Sequence, residues 1–94
     1  MTQSDTAGMR LDVFLARTRL VMPRDAAKRA CDNGIVSVNG KRGKPATAVE
    51  AGDRIEVRFT DQDLTVSVLR LPGRSVRKAD APGYYAVVED RRYT

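Results

Sequence analysis

Ninety-four residues allow one domain, with a core too small to spare many positions. With 41% hydrophobic and 31% charged residues the chain reads as folded and heavily solvated, and no apolar run approaches the roughly 20 residues that cross a bilayer. Seventeen basic residues against twelve acidic give +5; the lack of histidine excludes histidine-based triads and metal sites, and a single cysteine, Cys31, excludes an internal disulfide or a cysteine-rich zinc site.

Residues 1–8 are small, polar and without periodicity, which predicts a disordered tail, with Met9 as the start of structured chain. The stretch has neither a basic start nor an apolar core, so it is not a signal peptide, and a cytoplasmic location is expected. Leu11, Phe14 and Leu15 fall at i, i+3 and i+4, one face of a first helix, and Asp12 complements its dipole. A break follows at Val21–Met22. Pro23 is tolerated in the first turn of a second helix, Arg24–Asp32, whose packing face is Ala27, Ala30 and Cys31. Asn33-Gly34 supplies its left-handed stop.

The period then changes to two. Val36 and Val38 share a strand face, and Asn39-Gly40 signals a two-residue hairpin. After Lys41–Pro45 and Val49 comes a turn at Gly52-Asp53. Arg54–Phe59 alternates, with Ile55, Val57 and Phe59 inward and Glu56 and Arg58 outward; Leu64, Val66 and Val68 repeat the pattern. Pro72–Gly83 is a basic loop, and Tyr84–Val88 is a last short strand or turn that can pair with the sheet edge. The expected fold is α+β, two short helices packed on a small, mostly antiparallel sheet.

The charge is not spread evenly. Arg10–Lys44 holds nine basic and three acidic residues, a net of +6, while the remainder holds eight basic and nine acidic, a net of −1. Such a concentration suits a polyanion better than a merely solvated face does. Arg17 and Arg19 end the first helix, Arg24 and Lys28 lie four apart on the second, and Lys41, Arg42 and Lys44 follow the hairpin turn. Packed on the sheet, these groups can converge and meet successive phosphates, for which the planar arginine fork is well shaped.

Catalysis by the chain alone is not expected, and neither is a cofactor or metal. There is no GxxxxGK or GxGxxG sequence, Cys31 falls on a packing face, and the carboxylates mostly occupy outward strand and turn positions. Phe14 and Phe59 take core positions and the tyrosines come late, so aromatics are not interleaved with the cations. That favours recognition of a folded RNA's backbone and shape over stacked single strands.

The ordered motifs Arg10-Leu11-Asp12-x-x-Leu15, Arg24-x-x-Ala27, Gly34-x-Val36-x-Val38-Asn39-Gly40, Lys44-Pro45 and Val49-x-x-Gly52-Asp53-x-Ile55-x-Val57 resemble the S4 RNA-binding domain across about Met9–Phe59. The resemblance implies the S4-like (alpha-L) fold over residues 9–71, with residues 72–94 adding the basic loop and closing strand. It also implies binding of structured RNA by the helical pair and hairpin. Arg10, Arg24, Lys28, Lys41 and Lys44 are then the first phosphate contacts, with Arg17, Arg19 and Arg42 next. Many S4 domains open the second helix with Ser or Thr before an arginine; Met22-Pro23-Arg24 offers no such hydroxyl.

No room remains for the catalytic domain that usually accompanies an S4 domain. The chain instead resembles the stand-alone, ribosome-associated members, and the strand at Leu64–Leu71 with the Tyr84–Asp90 segment resembles the ribosome quality-control type. The heat-shock type carries a longer basic C-terminal extension. What this implies is a monomer on the large ribosomal subunit, touching rRNA and peptidyl-tRNA while a partner factor adds a tail to the stalled chain. The alternative is an RNA-specificity subunit for a separately encoded RNA-modifying enzyme.

Overall fold

The computed structural model describes residues 8–73 and 76–93. Most of the expected tail, and Arg74 and Ser75 of the expected basic loop, therefore lie outside the described residues. The elements are β1 (Met9–Arg10), α1 (Leu11–Arg17), α2 (Arg24–Asp32), β2 (Val36–Val38), β3 (Lys41–Arg42), β4 (Ala48–Val49), β5 (Arg54–Arg58), β6 (Gln62–Val68), a 3-10 turn at Ala81–Tyr84, and β7 (Tyr85–Arg92). The fold is α+β, as expected.

Helix α1 buries Leu11, Phe14 and Leu15, and helix α2 buries Ala27 and Cys31, with Ala30 half-buried beside them. These side chains close over Val36 and Val38 of β2, Ile55 and Val57 of β5, and Val66 and Val68 of β6, with Val49 completing the core. Helix α1 stops where Thr18 donates its hydroxyl to the Phe14 carbonyl at 2.7 Å and Arg19 takes φ 63°. Helix α2 ends at Gly34 with φ 75°; the Gly34 N–H reaches the Cys31 carbonyl and the Ile35 N–H the Ala30 carbonyl. That pair of bonds is a Schellman motif, in which the left-handed residue costs least as glycine. Pro23 stands one position before the expected first turn, as the N-cap, and its carbonyl accepts from the Ala26 and Ala27 N–H groups.

The main sheet has the order β3-β2-β5-β6-β7 and is antiparallel throughout. Asn39 (φ 52°) and Gly40 (φ 85°) are both left-handed, the requirement of the type I′ turn between β2 and β3. The Asn39 amide also clasps the start of β5: its Nδ2 donates to Asp53 Oδ1 at 3.1 Å, and its Oδ1 accepts from the Arg54 N–H at 2.9 Å. Strand β5 ends at Arg58, so Phe59 is half-buried just beyond it. Strand β6 begins before Leu64 and ends at Val68, short of the expected Leu71.

Two pairings depart from expectation. A separate ribbon joins β1 to β4, with Met9 opposite Val49 and Arg10 opposite Ala48. Strand β7 runs to Arg92, well past Val88, and shifts register opposite Thr65/Val66, where Val88 is the extra residue. The helices cover β2, β5 and β6 and leave β7 uncovered, with its residues from Ala86 onward exposed. Among the described residues no helix is long and apolar enough to cross a membrane.

Gly43 locks the hairpin to α1. A Cβ there would stand 2.5 Å from Leu11 Cδ2 and 3.4 Å from both the Val36 carbonyl and Val38 Cγ2. Leu11 is fully buried and has nowhere to retreat. Gly43→Val is therefore expected to cost about 1–3 kcal/mol. A lower urea midpoint at unchanged slope is the expected reading.

Candidate nucleic-acid interface

The N-terminus of α1 is closed by a distant loop. The Leu11 N–H donates to the Thr47 carbonyl at 2.8 Å, and the Asp12 N–H to the Pro45 carbonyl at 3.2 Å. Residues 44–47 form a turn with Pro45 in its second position, where a fixed φ is favourable. The Thr47 N–H donates to the Lys44 carbonyl at 3.0 Å, and the Lys44 N–H to Thr47 Oγ1 at 2.8 Å. Two otherwise unpaired helix amides are thus satisfied by backbone oxygens rather than by a capping side chain. The same contacts bring exposed Lys44 to the mouth of α1.

Asp12 is the hub of this corner. Its side chain is 1% exposed, and Arg10 grips both oxygens, Nε to Oδ1 and Nη2 to Oδ2, each at 3.1 Å. Arg24, at the start of α2, approaches Oδ2 through Nε at 3.6 Å. The arginine side chains are 48% and 58% exposed, so each keeps part of its guanidinium in solvent. Burial alone would push the Asp12 carboxyl up. The Arg10 hydrogen bond, the Arg10 and Arg24 charges and a bond from the Val13 N–H outweigh it, and the pKa lies below its ordinary 3.8. The same bond holds the Arg10 pKa above its ordinary value.

One carboxylate therefore aims two arginines. Exposed ion pairs contribute little stability, but here the anion is buried and its geometry bidentate, so it fixes orientation. Lys28, exposed and one turn along α2 from Arg24, lies on the same helix face. Asp12 thus holds Arg10 and Arg24 together at the two helix N-termini, with Lys28 one turn along α2 and the Lys44 backbone in the turn that caps α1.

The other expected contacts sit elsewhere. Arg42 donates from Nη2 to the Asp32 carbonyl at 2.6 Å and packs along Gly34, closing the far end of α2. A cation is favourable there, because the last helix carbonyls carry partial negative charge. Lys41 precedes it on β3 and is exposed. Arg17, half-buried, is the last residue of α1, and Arg19, exposed with Nη1 3.8 Å from Met22 Sδ, lies just past it. Arg17 stands five residues along α1 from Asp12, an axial rise of about 7.5 Å. The structure thus sorts the eight cations into three groups.

Two participants were not foreseen. Asp12, which the sequence marks as a complement to the helix dipole, is buried and also pairs the arginines; its place beside Leu11 and one turn from Leu15 is the available signal. Thr47 closes the capping turn, and Lys44-Pro45-Ala46-Thr47 carried the turn chemistry. Cys31 is 1% exposed, and burial, with the Asp12 and Asp32 charges, pushes its thiol up to about 11. It stays protonated at neutral pH, as befits a packing residue.

Two helices seated on an antiparallel sheet, with a cationic corner at their N-termini, define an S4-type module. The family model of the S4 domain matches residues 9–55, and the chain belongs to that family. It is 37% identical over 84 residues to the "RQC P-site tRNA stabilizing factor" of Streptococcus pneumoniae, covering 89% of this chain and 94% of that one. The Bacillus subtilis protein of the same name is 36% identical over 84 residues, covering 89% and 96%. Among solved structures, Vibrio cholerae Heat Shock Protein 15, described as trimeric, superposes with a TM-score of 0.79 at 28% identity, covering 86% of this chain and 82% of that one.

Proposed function

We propose that this chain is a non-catalytic RNA-binding protein of the cytoplasm that acts as a monomer on the large ribosomal subunit, in quality control of stalled peptidyl-tRNA complexes. The observation that carries the reading is the Asp12 hub, which holds Arg10 and Arg24 on one buried carboxylate. Arginine forks held from behind suit phosphates fixed in a folded RNA, whereas loose cations suit any polyanion. Support for the particular RNA comes from relatives of nearly the same length, whose name describes stabilisation of P-site tRNA.

In this reading Arg10 and Arg24 make bidentate phosphate contacts, and Lys28 and Lys44 add point charges. Lys41 and Arg42 extend the surface along the hairpin, and Arg17 and Arg19 extend it past α1. Contact with tRNA and large-subunit rRNA together holds the tRNA in place while a tail-adding factor works on the stalled chain.

Combining Arg24→Ala with Lys44→Ala tests the surface. Both side chains are largely exposed, so the fold is expected to survive. Affinity for large subunits, read by co-sedimentation, is expected to fall at least about tenfold, and the log–log salt slope to shrink by roughly 1.4–1.8 as two phosphate contacts go. Wild-type co-sedimentation by the double variant would sink the proposal.

A further inference from the structure

The chain outside the Arg10–Lys44 region is close to neutral, yet the stretch from Leu69 to Tyr84 holds four cations against Asp80, a net of +3. Its described residues, Arg70, Arg77 and Lys78 among them, lead from β6 to β7, at the sheet edge opposite β3. Four strand spacings separate β3 from β7, about 19 Å. This basic stretch is therefore remote from the hairpin and forms a separate surface.

Arg70 and Tyr84 form its centre. The Arg70 guanidinium carbon lies 4.6 Å from the centroid of the Tyr84 ring. Both backbones are pinned, since the Leu69 and Arg70 N–H groups donate to the Tyr84 carbonyl at 2.9 and 3.4 Å. Arg70 is exposed and Tyr84 half-buried, so the stacked guanidinium is an outer layer with the ring as its support. Lys78 is exposed on the same loop, and Arg77 is tied at the surface to Asp80, Nε to Oδ2 at 3.1 Å. A planar cation already resting on a ring offers a platform to a second flat group, while a lysine on the same loop offers a charge to a phosphate.

We infer that Arg70, Tyr84 and Lys78 form a second RNA site, which takes an unpaired nucleotide by stacking its base on the Arg70–Tyr84 pair. The inference rests on the RNA-binding reading above and extends it. The helical corner holds folded RNA, and the opposite edge holds a flipped-out or single-stranded base, so the protein spans two segments.

Fluorescence anisotropy with labelled hexa-adenylate and, separately, a labelled RNA hairpin tests it. Arg70→Lys keeps the charge but removes the planar fork, and Tyr84→Leu keeps apolar bulk but removes the ring. Each is expected to weaken hexa-adenylate about tenfold and to leave hairpin binding within about twofold; the Arg24→Ala, Lys44→Ala double variant is expected to do the reverse. Equal hexa-adenylate affinity for wild type and both variants overturns the second site, as does wild-type protein that binds the hairpin but not hexa-adenylate. Wild-type protein that binds neither overturns the RNA-binding reading itself.

Discussion

Asp12→Asn is expected to weaken RNA binding, although it removes a negative charge from a cationic surface. Simple Coulomb reasoning gives the opposite sign: one less anion some 7 Å from a phosphate in water favours binding by roughly 0.6 kcal/mol. The hub works against that gain. Freed from the carboxylate, Arg10 and Arg24 must each be ordered by the RNA, at about 0.5–1.5 kcal/mol per side chain. The expected outcome is a several-fold loss of affinity, and tighter binding by the variant would show that Asp12 does not aim the arginines. Asp12→Ala should also lower stability by about 2 kcal/mol, in the range for hydrogen bonds to a charged group.

The pH dependence has a definite sign. The folded Asp12 carboxyl titrates below its ordinary 3.8. Its contribution to stability is therefore fully present above that value and is lost as pH falls through the folded pKa. Urea midpoints from pH 6 down to pH 2 should show a decline in the wild type that is smaller in Asp12→Asn.

Phe14→Ala is expected to cost about 3–5 kcal/mol, the largest single effect on stability. Phe14 is fully buried among both helices and the sheet, and its carbonyl receives the Thr18 hydroxyl that ends α1. A domain of this size holds roughly 5–15 kcal/mol in all, so the variant should be partly unfolded at 37 °C. A urea midpoint near that of wild type would mean that the site collapses to fill the space.

The elements that the sequence spells out most plainly are those with local punctuation. Helix α2 occupies Arg24–Asp32 as read, because Pro23 opens it and Asn33-Gly34 closes it. The Asn39-Gly40 turn and the alternation of Ile55 and Val57 are equally local signals. What escaped is non-local or has no period. The β1–β4 ribbon contributes two residues from each side, joined across forty positions. Strand β7 is an uncovered edge, so Glu89-Asp90-Arg91-Arg92 carries no inward apolar position to mark it. Instead Arg91 pairs with Glu89 and Arg92 with Asp90 along the strand. The same division holds for the candidate site. Its cations are countable from composition, but their grouping depends on tertiary closure: Arg42 and Lys44 follow the same hairpin turn in the sequence, yet Arg42 closes α2 while Lys44 belongs to the turn that caps α1.

The cap on α1 has a bearing on how the protein comes into being. A seven-residue helix does not persist alone, and here its first amides wait for carbonyls made some thirty-five residues later. Until Pro45 and Thr47 are in place, Asp12 has no fixed position from which to orient Arg10 and Arg24. The cationic corner is thus complete only once the chain through Thr47 has joined the fold. A nascent or clipped copy ending before the turn presents scattered charge without the aligned forks, and so makes a poor competitor for whatever the finished protein holds.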